Sequence, residues 1–252
     1  MTPRQAVDVR AHRWLMIVGA LLTAGALLLL SLLPDPPAEA VAMTAWVERG
    51  HPLLMWSNEL LFLAVISWGA GARGLFSTGW AGTSAWVDVG RTALTVTLGA
   101  LVVVLLAVGR LVYPVFEIDL SAEVVALLVS STFGALHVAF LGFAVAAVTL
   151  GWSTRAALAG RAVGIVAAAA FVVGSFPWLT PSWWNSVVPV LIAAWGVFLA
   201  CVTRTGHSGD VTERASAGQV ADAVGIARRS RQAAGQRVHS SSTQTSNPPG
   251  QV

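Results

Sequence analysis

Two ionisable side chains stand inside long apolar runs of this 252-residue chain: Glu59 in MWSNELLFLAVISW and His137 in SSTFGALHVAFLGF. A charged group at the centre of a bilayer costs about 3 kcal/mol on insertion scales. Glu59 is therefore expected to face a bundle interior or a cavity, or to be protonated. With a helix starting at Pro52, it would lie roughly 10 Å below the outer end of that helix. Asn58 points about 100° away from it and can bond a neighbouring helix. For His137 the neutral ring is the cheaper form, because desolvation disfavours the imidazolium. Ser130, Gly134 and Leu141 share its face at three- and four-residue spacing. The small pair Ser130 and Gly134 would let another helix approach closely.

Several chemistries fit these residues. His137 can bond across a packed helix pair, or serve proton-coupled transport or substrate binding. A metal site is not expected, because no second membrane histidine accompanies it. Glu59 and His137 in one cavity would form a proton relay; without a cavity, the same two groups would only tie helices together. Ser130, Ser131 and Thr132 precede His137, but no Gly-x-Ser-x-Gly elbow goes with them. Hydroxyls in membrane helices usually bond their own i−4 carbonyls, so hydrolysis is disfavoured.

The composition narrows the field further. All 15 basic residues are arginine. With no lysine there is no amine for a Schiff base, which excludes a retinal protein. The single cysteine, Cys201, allows no intrachain disulfide. The sequence contains no Walker loop, no His-Glu-x-x-His and no EF-hand loop. Only four methionines are present, which argues against a copper path. No cofactor is expected.

The elements that must position these residues are apolar helices. The chain is 56% hydrophobic and 11% charged, against about 25% charged in soluble domains, and its mean hydropathy is +0.72. In lipid, backbone polar groups are satisfied within helices or closed barrels, and no alternating barrel pattern is present. Apolar runs predict six spans, at 14–33, 52–70, 92–113, 122–150, 162–179 and 183–202, with a short stretch around Trp46 before the second. The first run is 20 residues long. That exceeds the hydrophobic region of a signal peptide, so an uncleaved anchor is expected despite the small-x-small Ala38-Glu39-Ala40. Pro189 is a candidate kink in the sixth span.

The fold expected is all-α: a polytopic membrane bundle of about six transmembrane helices, with both termini in the cytoplasm. Residues 1–13 form a cytoplasmic arm, 14–202 the bundle, and 203–252 a largely disordered cytoplasmic tail. With that topology, 13 arginines lie inside and only Arg49 and Arg110 outside; without the tail the ratio is 7 to 2. Orientation thus explains the basic side, and no nucleic-acid partner is expected. Trp14, Trp46, Trp56, Trp68, Trp152, Trp178, Trp183 and Trp184 fall near predicted span ends, where interfacial anchoring is expected. Trp195 lies deep in the sixth span and is expected to pack within the bundle. Lysine-free, alanine- and valine-rich usage points to a GC-rich bacterial genome, hence to a bacterial cytoplasmic membrane.

The stretch from His137 through Arg161 has a mid-span histidine, then the turn Gly-Trp-Ser-Thr-Arg, then an apolar span from Ala162. It resembles the later spans of uncharacterised six-span bacterial membrane proteins. More loosely, the layout is similar to permease subunits of ABC-2-type exporters. That resemblance implies a partner ATPase and carries no functional residue onto this chain. Transport or binding of a small or lipophilic molecule is the leading expectation. An enzyme using Glu59 as acid or base and a non-catalytic subunit of a membrane complex are the alternatives.

Overall fold

The structure is a computed structural model, and it describes residues 3–77, 84–116, 118–153, 157–177 and 179–202. The expected tail, 203–252, and the expected anchor Trp178 lie outside the described residues. Among the described residues six helices follow in order: α1 (Pro3–Ser31), α2 (Ala40–Ser77), α3 (Ala85–Val112), α4 (Ala122–Ser153), α5 (Ala157–Gly174) and α6 (Ser182–Val202). Five of them are long and apolar enough to cross a membrane. The apolar part of the sixth, α5, is shorter, Leu158–Gly174. At about 1.5 Å per residue its 18 residues still extend roughly 27 Å. The protein is an all-helical, multi-pass membrane bundle.

The helices pack in a ring in chain order, α6 closing on α1, with α2 and α4 meeting across the middle. Every neighbouring pair runs antiparallel. In α1 and α2, Gly71 lies against Met16, Gly19 against Trp68, and Gly50 against Leu33. Gly90 of α3 meets Leu150, while Thr97 meets Gly142 further along. Gly151 of α4 touches Gly160, at the start of α5, whereas His137 reaches Ser175, just beyond its end. Ser31 and Ser186 share a hydrogen bond of 3.2 Å at one end of α1 and α6. At the other end, Arg13 Nε donates to the Ala200 carbonyl at 2.8 Å. That bond places a cation on the last turn of α6, where carbonyls lack intrahelical partners.

The element bounds correct three expectations. Pro52 does not start the second span: α2 is one helix of 38 residues with Pro52 inside it. Its early start is fixed by tertiary contacts, since Trp46 is buried and its Nε1 donates to the Pro34 carbonyl at 2.8 Å. The fifth span ends at Gly174 rather than 179. Pro177 explains this, because the residue before a proline is pushed out of the helical region. The third helix begins at Ala85, seven residues before the expected start at 92.

The centre of the bundle is aromatic. Trp68 is fully buried, stacked on Trp195 at 6.1 Å between ring centroids, with Phe143 at 5.9 Å. Phe171 closes the group edge-on to Trp195 at 6.0 Å. Small residues make room for it: a Cβ on Gly19 or Gly196 would strike the Trp68 ring. The indole N–H of Trp68 is satisfied by Thr23 Oγ1 at 3.2 Å, and that hydroxyl donates to the Gly19 carbonyl at 2.8 Å. Trp195 is in the bundle as expected. Trp68 and Trp46 are core residues, not interfacial anchors, whereas Trp14, Trp56, Trp152 and Trp183 are exposed.

Candidate functional site

His137 is held by a carbonyl that the α5 terminus leaves over. Ser175 N still donates to Phe171 O, so the helical pattern runs to Ser175 before Pro177 breaks it. Leu179 N donates instead to Phe176 O. His137 Nδ1 lies 2.9 Å from the Ser175 carbonyl oxygen. A carbonyl only accepts, so Nδ1 carries the proton, and in the neutral ring Nε2 is the acceptor nitrogen. Phe176 packs edge-on against the imidazole, with centroids 4.9 Å apart. The ring is thus fixed in tautomer and orientation by two consecutive residues of the α5–α6 connection.

The fixed ring lines a cleft between α1, α4 and α6. Leu27, Leu30, Phe133, Leu136, Phe140 and Val188 supply its apolar wall. Ser31, Ser175 and Asn185 supply polar atoms beside His137. Asn185 Oδ1 in turn accepts from Thr180 Oγ1 at 3.4 Å. The space is about 90 Å³. Each water occupies about 30 Å³ in the liquid, and drug-sized ligands need about 300 Å³ or more. The cleft has room for a few waters, a small molecule, or the end of a longer one.

Glu59 is elsewhere. Its carboxylate accepts a hydrogen bond from the Tyr113 hydroxyl, on the chain just past α3. Glu59 is exposed, which corrects the expectation of an interior position. Glu59 lies 19 residues into α2, about one turn from the end of α3, where the Tyr113 hydroxyl reaches it. His51 Nε2, two turns earlier in α2, sits 3.1 Å from the Val112 carbonyl at the end of α3. A carboxylate near the end of a span keeps access to headgroups and water, so the cost that argued for burial falls away.

The structure therefore does not bring Glu59 and His137 together: one faces outward between α2 and α3, the other lines the cleft between α1, α4 and α6. Asn58 turns toward α3, its side chain over Gly109, where a Cβ would lie 3.6 Å from Nδ2. Its Oδ1 is buried without a hydrogen-bond partner.

Ser130 and Gly134 are also displaced from their expected role. Both are exposed, and a Cβ on Gly134 would meet nothing within 4 Å. The close approaches of α4 are made by Gly142 to Thr97 and by Gly151 to Gly160. Ser130 Oγ donates to the Ala126 carbonyl, four residues back, at 2.8 Å, as membrane-helix hydroxyls usually do.

Reading the sequence alone missed Ser31, Ser175 and Leu30 as companions of His137. The signal for Ser175 was present: Pro177 and Pro181, four apart, end one helix and precede the next, leaving carbonyls for a side chain to satisfy. Ser31 carried no comparable signal, because its place depends on α1 packing against α6. No family model, curated protein or solved structure matches this chain.

Proposed function

We propose that this membrane bundle binds a small, largely apolar molecule, or the apolar end of a longer one, in the cleft at His137. The ligand carries a polar group that meets the polar side of the cleft, formed by Ser31, Ser175, Asn185 and the His137 ring. One observation carries the reading: an oriented histidine and three other polar residues line an otherwise apolar cleft. Ligand sites commonly combine an apolar wall with a few placed polar groups. The Nδ1 bond to the Ser175 carbonyl and the edge-on Phe176 ring hold the imidazole in one orientation at the cleft wall.

Binding is favoured over transport and over the enzyme reading on geometric grounds. A permease with a path along the bundle axis would have to move Trp68, Trp195, Phe143 and Phe171, which fill that axis. An enzyme using Glu59 would have its acid or base on the exposed surface, bonded to Tyr113 and away from the cleft.

The test is photolabelling of the protein in lipid nanodiscs with a short-chain alkyl alcohol carrying a diazirine. Adducts are expected on the cleft walls of α1, α4 and α6 and to be competed by the unlabelled alcohol. Leu30→Trp, which fills the cleft, should remove them, and His137→Ala should weaken them. Glu59→Gln should label like the parent protein. Uniform labelling of the lipid-facing surface, indifferent to Leu30→Trp, would exclude the cleft as a binding site.

A further inference from the structure

Helices α2 and α3 are joined at one end and part at the other. At the outer end, His51 bonds Val112, Asn58 lies over Gly109, and Glu59 bonds Tyr113. Toward the opposite end, a groove of about 520 Å³ opens between them. Its apolar part is Gly69, Ala72, Leu94 and Leu98, and its polar rim includes Arg73, Arg91, Ser77 and Thr95. α3 lies mainly on α4 and α2 mainly on α1, which leaves this seam unfilled.

The two arginines mark a level. No charged residue occurs between Glu59 and Arg73 on α2, nor between Arg91 and Arg110 on α3. Arg73 and Arg91 therefore sit where both helices leave the apolar zone, at headgroup depth, on the arginine-rich side of the molecule. Both are exposed. Arg91 makes an ion pair with Asp88 at 3.1 Å, with both side chains more than half exposed. Such a surface pair holds its members weakly, so the guanidinium remains available to a stronger partner. Arginine matches phosphate oxygens with paired N–H donors.

We infer that the α2–α3 groove is a binding site for an anionic phospholipid, its phosphate between Arg73 and Arg91 and one acyl chain against Gly69, Ala72, Leu94 and Leu98. Charge complementarity selects the headgroup. The absence of a side chain at Gly69, where a Cβ would meet nothing within 4 Å, leaves the space for the chain. Basic pockets between helices on the cytoplasmic side are suited to such lipids. The site is separate from the His137 cleft and does not depend on it.

The test is native mass spectrometry of the detergent-purified full chain titrated with phosphatidylglycerol or phosphatidylcholine. The parent protein should retain phosphatidylglycerol preferentially. Arg73→Gln and Arg91→Gln should each weaken that affinity about fivefold, the effect of one arginine near an anionic membrane surface. The double variant should lose the preference, and Arg49→Gln, at the other end of α2, should keep it. Gly69→Phe should weaken binding without altering charge, while Arg73→Lys/Arg91→Lys should retain most of it and controls for misfolding. A double glutamine variant that folds and still prefers phosphatidylglycerol as the parent does would overturn the site. So would displacement of the lipid by inorganic phosphate alone, since the groove would then hold an anion without a chain.

Discussion

Trp68 of α2 packs against Phe143 of α4 and Trp195 of α6, the two rings that also hold Phe171 of α5, and it touches α1 through Gly19 and Thr23. In lipid there is little hydrophobic force between helices, so association rests on packing and interhelical hydrogen bonds. A residue that ties α2 to three other helices should dominate stability. Trp68→Ala is expected to cost about 3–5 kcal/mol, the range for removing a large buried aromatic. Trp68→Phe keeps much of the volume and loses the bond to Thr23, so it should cost less than half as much. Thermal unfolding in detergent measures both. Equal melting temperatures for Trp68→Ala and the parent protein would contradict the central role of this ring.

Helix α4 shows how an element's packing face is set by its smallest residues. A Cβ on Gly151 would lie 2.6 Å from the Gly160 carbonyl, and one on Gly164 would lie 2.5 Å from the Ala147 carbonyl. Both neighbours are backbone and cannot rotate away. Gly164→Ala should therefore force α4 and α5 apart and destabilise by about 1–3 kcal/mol, the usual range for overpacking. Gly134→Ala lies on α4, with open space around its Cβ. Alanine is the better helix former there, so that variant should melt no lower than the parent. If the two substitutions behave alike, the α4–α5 contact is not as close as described. The same contact sets His137, since α5 must lie on α4 for Ser175 to meet the imidazole.

At the scale of the whole molecule, the antiparallel ring gives an alternation that arginine counting cannot. Contacts at both ends of each pair show six helices running alternately, so the ends of α2 and α4 lie on the same side as the start of α1. The positive-inside rule then assigns that side to the cytoplasm. Single cysteines at Ser77 and Ser153, placed in a Cys201→Ala background, should be protected from an impermeant thiol reagent added outside intact cells. They should become reactive once the membrane is opened. Labelling of either position in intact cells would reverse the orientation.

The sequence by itself determined the class of the protein and the number of helices. Both rest on local physics: each span must satisfy its own backbone in lipid, so length, apolarity and proline positions are enough to find it. It also marked His137 as a polar group worth locating. Tertiary structure decided what each marked residue does. Glu59 and His137 were alike as charged or polar breaks in apolar runs, yet one is exposed against Tyr113 and the other lines a cleft. Their difference comes from the neighbours each helix face meets: Glu59 stands beside Tyr113 just past α3, and His137 beside Ser175 just past α5. Trp68 looked like the interfacial tryptophans because composition near a span end is the same for a ring facing lipid and a ring facing the core. Only the arrangement of the other helices distinguishes them, and around Trp68 that arrangement is set by the glycines at positions 19 and 196, whose partners lie far away in the chain.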